Sequence, residues 1–468
     1  MDLKLLKQVP WVETSLAFLA LLCLFPSPYH TIAELDASWQ AVLEHAFFNQ
    51  WQFGKELIFT GGPLSFLYAP TSIDYFPKTQ VVLEAGVLFI AIFAIINAVK
   101  TERLWVKILV FLCIFCGASS SRDSIYLISI TALSFGILNS KTELRSIILP
   151  IIFIAILSLM KFTLAVLGTA CLITLAVTKI WQKQKKPGFQ IIGIYLISVC
   201  AIWMIIGQSL WNLPSYIARS LSVSQGYEWG MHMQEQAHFF KYLIGILLLA
   251  SLPIFIWAIH NRKNSTSWAV LVISALSIYV SWKTGITRFG SHVTFFLQAA
   301  TLVPLLILPF IKKKQIPSAW VGLNFLVFVW AFGWLLPTHK DQLKSRAIAQ
   351  ATFGLKFIGT AGGEVRKFSD LVPYVKSSHT LHRIKAAIGD GTVDVLYYHH
   401  GILLLNELNY VPRPTLQNYT AYNPSLAEWN LQHMQNNPPQ FILCKDGVID
   451  ARYPTVDDNL FFKEVIDH

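Results

Sequence analysis

Ionisable side chains are sparse in this chain, so the places where they gather carry the argument. Glu34 and Asp36 follow the first apolar run, in the string Ile32-Ala33-Glu34-Leu35-Asp36-Ala37-Ser38-Trp39. A carboxylate at a membrane edge is suited to act as a general base toward a hydroxyl. The competing role is structural: an Asp ahead of a helix caps free backbone N–H groups, and Glu34 beside it reads as a solvated acid. Lys283, Arg288 and His292 fall in one short stretch between two apolar runs, with Gly285 and Gly290 for tight turns. Two fixed cations and an imidazole suit an anion such as phosphate, with Arg as a bidentate fork and Lys as a point charge. Snorkelling toward headgroups is the alternative. Lys161 lies between two apolar runs with almost no connection, which puts it at the same edge. Arg122 and Asp123 lie at similar depth, where pairing with each other is the simple expectation. Tyr227 stands in Gly226-Tyr227-Glu228-Trp229, ahead of His232, Glu235 and His238. Glu235 and His238 approximate a metal-binding face on a helix, but His232 does not complete it, so solvated side chains are expected there.

Composition dictates the elements that hold these residues. Of 468 residues, 54% are hydrophobic and only 13% charged, about half the charge of a soluble domain. Apolar runs near 10–27, 80–99, 104–120, 124–140, 146–160, 162–180, 189–208, 241–260, 267–282, 293–311 and 316–336 approach the roughly 20 residues that cross about 30 Å of hydrocarbon. The chain is therefore expected to be an α-helical polytopic membrane protein of about eleven transmembrane helices. Its net charge of +11 sits in every second loop: Lys100, Arg103 and Lys107; Lys141 and Arg145; Lys183, Lys185 and Lys186; Arg262 and Lys263; Lys312, Lys313 and Lys314. With Lys4 and Lys7, these are the loops that the positive-inside rule assigns to the cytoplasm. No basic stretch interleaved with aromatics marks a nucleic-acid groove.

The transmembrane domain then spans 1–337, with extracytoplasmic loops at 28–79 and 209–240. In the first loop, apolar residues at 39, 42, 43, 46, 47 and 51 mark one face of a helix from about Trp39. That helix is expected to lie along the membrane surface and to be closed off by Gly54 and the Gly61-Gly62-Pro63 turn. An odd number of spans exports residues 338–468 as a small α/β domain. Helices are expected over 340–357, 364–387 and 425–436, and strands at Val393–Tyr398 and Gln440–Cys444. The segment from Asn409 through Pro412-Arg413-Pro414 to Gln417-Asn418-Tyr419 is rich in amides and aromatics, which suits sugar contacts and ordinary loop chemistry alike. Cys113 and Cys116 lie mid-span without a nearby His or acid and read as packing. There is no phosphate-binding loop, dinucleotide fingerprint or hydrolase motif.

At the first loop the chain resembles the GT-C superfamily, multi-span glycosyltransferases that draw sugars from polyprenyl-phosphate carriers. Members carry an acid after the first span, an interfacial helix behind it and a later proline-leucine pair, which here would be Asp36, the helix from about Trp39, and Pro63-Leu64. The wider string Asp36 … Trp39 … Phe53-Gly54 … Phe59-Thr60-Gly61-Gly62-Pro63-Leu64 is similar to a group of bacterial membrane proteins. So are Gly226-Tyr227 … Met231, Lys283 … Arg288 … His292, and Pro412-Arg413-Pro414 … Gln417. The directly adjacent acid pair of several relatives is absent, since Leu35 separates Glu34 from Asp36. The resemblance implies an inverting glycosyltransferase of the bacterial inner membrane, with Asp36 as catalytic base and Glu34 beside it. Lys283, Arg288, His292, Lys161 and Tyr227 would bind substrate. The implied partners are a polyprenyl-phosphate-linked sugar donor, membrane lipid, and a glycan, lipid or protein acceptor, with no nucleic acid. No motif demands a cofactor, and a divalent metal stays open. Two other classes compete. An O-antigen-type polymerase or ligase would usually place its main loop between late spans and would not require Asp36. A lipid or solute transporter would bring ionisable residues deep into spans and repeated half-structures.

Overall fold

The computed structural model describes residues 10–27, 29–30, 33–68, 71–72, 77–118, 122–140, 144–231, 245–246, 257, 261, 263–288, 292–311, 340–363, 372–421, 423–445, 447–449 and 453–467. Among these, five helices are long and apolar enough to cross a membrane: Lys78–Ala98, Phe162–Trp181, Lys185–Ile205, Ser265–Thr287 and Val293–Phe310. Shorter apolar helices accompany them at Trp11–Cys23, Leu104–Phe115, Asp123–Asn139 and Ser146–Met160. Leu149, Ile197 and Ile205 are 72%, 70% and 81% exposed on this bundle. Apolar side chains turned outward in such numbers require lipid rather than water as solvent. The chain is a helical membrane protein with a small sheet near its C-terminus.

In chain order the helices are α1 (Trp11–Cys23), α2 (Leu35–Phe48), α3 (Pro77–Ala98), α4 (Leu104–Ala118), α5 (Asp123–Asn139), α6 (Leu144–Met160), α7 (Phe162–Trp181), α8 (Lys185–Ile205), α9 (Leu213–Met231), α10 (Ser265–Thr287) and α11 (Val293–Ile307). Every residue of α11 is buried, so it forms the axis against which α4, α5 and α10 pack. Polar side chains join these apolar helices, as expected where backbone and hydroxyl groups have no water to bond. The Gln298 amide donates to the carbonyls of Cys113 and Ile114 at 3.1 and 3.3 Å and accepts from Ser124, while Thr131 meets Ser277. The close approach of α10 to the start of α11 needs Gly285, because a Cβ there would lie 2.8 Å from the His292 carbonyl.

Three sequence expectations change. Residues 209–240 were expected to form a loop, yet α9 fills 213–231. Its overall composition is polar, but Tyr216, Ser220, Val223 and Met231 make one buried stripe that tertiary packing stabilises. The surface helix starts at Leu35, not Trp39, since α2 runs Leu35–Phe48. Arg122 and Asp123 do not pair with each other but with two different elements, as described below. The expected span at 316–336 lies outside the described residues, as does 241–260 apart from 245, 246 and 257.

Beyond the bundle lie α12 (Lys340–Gly359), α13 (His382–Ile388), β3 (Thr392–Leu396), α14 (His400–Leu405), β4 (Asn409–Tyr410), α15 (Pro424–Asn436), β5 (Phe441–Cys444), α16 (Pro454–Asp457) and α17 (Asn459–Asp467). Part of the helix expected over 364–387 lies outside the described residues, and the rest breaks at Leu381 before α13. The sheet is parallel with order β4-β3-β5, and strands alternate with helices as parallel connection requires. Two short strands in the first loop, β1 (Tyr29–His30) and β2 (Thr71–Ser72), also pair in parallel. Asn423 caps α15 by accepting from the Leu426 N–H at 3.2 Å, with Pro424 at the first helical position.

The sheet unit is fastened to the loop end of the bundle. The Ile58 N–H donates to the Pro414 carbonyl at 2.8 Å, α14 packs on α2, and Asn423 donates to the Ser222 carbonyl at 2.8 Å. The Arg219 guanidinium stacks 3.4 Å over the Trp429 ring, a cation–π contact.

Candidate functional site

Asp36 stands in the first turn of α2. Glu34 is the residue preceding the helix in extended conformation, and its side chain makes no cap hydrogen bond. Asp36 therefore does not serve as the cap that its position suggested. Its Oδ1 instead accepts from the Trp39 indole N–H at 3.0 Å, a pairing that the three-residue spacing on a helix permits. Trp39 is held in turn by Phe59 and Tyr68, with ring centroids 5.2 and 6.4 Å away. The carboxylate is exposed, oriented through one oxygen, with Oδ2 left for another group.

The turn after Thr60 brings Lys161 to the same place. Gly61 and Lys161 form an antiparallel bridge, the Gly62 N–H donates to Met160 O at 3.0 Å, and Phe162 N–H donates to Thr60 O at 3.1 Å. A Cβ at Gly62 would sit 2.3 Å from the Leu159 carbonyl, so only glycine allows this approach. Lys161 is thereby fixed in extended backbone between α6 and α7. Its ammonium reaches Asp123 Oδ2 at 2.5 Å and lies 5.4 Å from the Tyr68 ring centroid. A second ion pair, Arg122 with Glu84 of α3, seals the next position. The far side of the loop is knotted to the start of α9. Gln52 Oε1 accepts from Ser209 N–H at 2.7 Å and Asn212 at 3.1 Å, and Phe53 N–H donates to Gln208 at 2.8 Å.

The α10–α11 turn completes the cluster. Arg288 Nη1 lies 3.8 Å from the Met231 sulfur at the end of α9. His292 precedes α11 with its ring 5.3 Å from Phe295. Burial first, then the charges of Arg288 and Lys161, push its imidazole below the ordinary range, against the opposing pull of Asp123 and Asp36. His292 is thus a neutral donor and acceptor at pH 7, and the same interactions place Arg288, Lys161, Asp123 and Asp36 all within electrostatic reach of it. Burial likewise raises the Tyr68 hydroxyl, which feels Lys161, Asp123 and Asp36. Tyr227 acts on Lys161 from α9. Lys283 stands one turn before the end of α10, half-exposed and 3.6 Å from Glu228, at the rim.

The residues singled out from sequence thus converge from four separate segments, with Glu34 and Lys283 at the margin. Lys161 has its charge matched by Asp123, so it organises the site more than it offers a free cation. Tyr68 went unnoticed in the sequence, and Trp39 was read only as the start of a helical face. Trp39 carried a signal, its position three residues after Asp36; Tyr68 carried none. His232, Glu235 and His238 lie outside the described residues, and among the described residues no group of three His, Cys, Asp or Glu side chains could hold a metal ion. Compared with protein-family models, curated proteins and solved structures, the chain matches none of them.

Proposed function

We propose that the chain is an inverting, GT-C-type membrane glycosyltransferase that transfers a sugar from a polyprenyl-phosphate carrier to an extracytoplasmic acceptor. The observation that supports this reading is the meeting of an oriented, exposed carboxylate with Arg288, Lys161 and a neutral His292 at one end of an apolar bundle. A lipid-linked phosphate sits at that depth, with its prenyl chain among the helices.

In the reaction, Asp36 accepts the proton of the acceptor hydroxyl as its oxygen attacks the anomeric carbon. The bond from that carbon to the phosphate oxygen breaks on the opposite face, and the electron pair leaves with the carrier phosphate. Arg288 and Lys283 stabilise the charge that grows there, and Trp39 holds the base in register. Incubation of the purified protein with a panel of polyprenyl-phosphate sugars and of glycan, lipid and protein acceptors should release free carrier phosphate; no release from any donor–acceptor pair removes the proposal.

The phosphate role of Arg288 has its own test. Arg288→Ala should weaken carrier-phosphate binding by about tenfold or more, the scale of one charge-assisted contact. Arg288→Lys should restore only part, because the fork is lost. Unchanged affinity in both would leave Arg288 as a snorkelling residue.

The proposed setting is the bacterial inner membrane, crossed about eleven times, with the C-terminal unit in the periplasm; the support is the alternation of basic loops. Reporter fusions after Lys186, Lys263 and Lys314 should read cytoplasmic and a fusion at the C-terminal end exported. A cytoplasmic C-terminus would put the site on the wrong leaflet.

A further inference from the structure

In open parallel sheets, ligands bind beyond the carboxyl ends of the strands. Here that edge is formed by Tyr397-Tyr398-His399 after β3, Val411–Gln417 after β4 and Lys445 after β5. It does not face solvent alone. Tyr397, Tyr419, Ile449 and Met231 form one buried cluster, against which Leu35, Tyr227 and Tyr398 pack. Leu35 adjoins Asp36 in the chain, and Met231 touches Arg288. The sheet edge and the membrane-edge cluster are two sides of one place.

The edge holds polar groups that the fold itself does not use. Gln417 is fully buried, yet neither polar atom of its amide has a hydrogen bond among the described residues. Asn418 accepts from the Tyr397 N–H at 2.7 Å through Oδ1, while its Nδ2 is unmatched. His399, 4% exposed, has an unmatched Nδ1, and its ring stacks on Tyr398 at 3.9 Å. Burial and the neighbouring Lys445 push the His399 pKa down to about 4, so the ring is neutral. Tyr397 itself has φ 100°, a strained conformation of the kind that functional sites retain. Leaving buried amide groups unpaired is costly, and their concentration at a sheet edge calls for a ligand.

The groups define its chemistry. Neutral amides and imidazole both donate and accept, and half-buried Tyr398 and Tyr227 offer ring surface. Hydroxyls around a ring of C–H groups, a pyranose, match both properties. An anion is the poorer match, because the Arg413 charge is already balanced by Asp394 at 3.7 Å and the side chain is 1% exposed, although its Nε and Nη1 make no hydrogen bond among the described residues. A peptide captured by strand addition would need an edge longer than the two residues of β4 or the four of β5. We infer that the carboxyl edge of this sheet is a carbohydrate-binding site, which seats a glycan acceptor beside Asp36; the acceptor role rests on the glycosyltransferase reading, the binding site does not.

The test uses the full chain in detergent on an array of neutral oligosaccharides and unmodified peptides. Wild type should be retained on carbohydrate spots. Gln417→Met should be retained about tenfold less, the scale of one good polar contact, and its unfolding temperature should not fall, because the lost amide makes no bond among the described residues. Tyr398→Leu, at a half-buried ring, is the second variant and should also lose retention. The inference is overturned by a lower unfolding temperature for Gln417→Met, by retention on peptides alone, by no carbohydrate retention, or by unchanged retention of both variants. Carrier release is measured on the same preparations. Release without carbohydrate binding removes this site and leaves the transferase; binding without release does the reverse.

Discussion

Asp36→Asn is expected to lower transfer by about 10²–10⁴-fold, the usual worth of a general base, with folding and donor binding intact. The substitution keeps the size of the side chain, and the asparagine Oδ1 still accepts the Trp39 indole N–H that orients Asp36. Loss of the negative charge from the first turn of α2 removes a helix-dipole contribution of only about 0.3–1 kcal/mol. What the amide cannot do is take the acceptor's proton. Glu34→Gln is the internal control and should be milder, because Glu34 precedes the helix and its side chain makes no capping hydrogen bond. Had Asp36 been a cap, Asn would have replaced it nearly silently and Ala would have cost about 1 kcal/mol. The structure already places the cap position at Glu34, so the two outcomes separate cleanly. Equal transfer by wild type and Asp36→Asn, at matched protein levels, would end the catalytic assignment.

The second large effect concerns stability. Glu84 is fully buried and Arg122 partly so, and they pair between α3 and the start of α5. Removing one partner strands the other charge in an apolar bundle, which typically costs about 3–5 kcal/mol. Glu84→Leu and Arg122→Leu should therefore each lower the unfolding temperature in detergent sharply. The double variant should recover most of the loss, since a buried pair and an apolar pair of similar volume differ little. The measurement is a double-mutant cycle of thermal unfolding. Additive losses would show that the two side chains act independently and that the pairing contributes nothing.

Those two cases also mark what the sequence discloses and what it hides. Charge in lipid is expensive enough that its position is legible: Asp36, Lys161, Arg288 and His292 stand out because little else ionisable interrupts the apolar runs. Partner choice is not legible, because it depends on how helices rotate against one another. Arg122 and Asp123 are neighbours in the chain, yet their side chains diverge to Glu84 and Lys161. Long apolar helices announce themselves by hydropathy, whereas α9 does not, since its helicity depends on one buried stripe and on Arg219 meeting Trp429. In the sheet unit, the β-branched run around Val393 is readable as a strand. The two-residue β4 and six-residue α14 are too short for periodicity to register. The amides of Gln417 and Asn418 were visible as a composition, but only enclosure without partners makes them informative.

The stitch between Gly61 and Lys161 has a consequence for biogenesis. The first loop leaves the ribosome about 100 residues before its partner exists, and its Ile58 must wait about 360 residues for Pro414 and Thr415. At about 5–20 residues per second, these delays are roughly 5–20 s and 20–70 s. Through that interval the glycine turn and Ile58 lack their partners at 160–162 and 414–415, so the nascent chain carries an open docking surface while later helices are still being inserted. Residues made hundreds of positions later are then among those that close the site first begun.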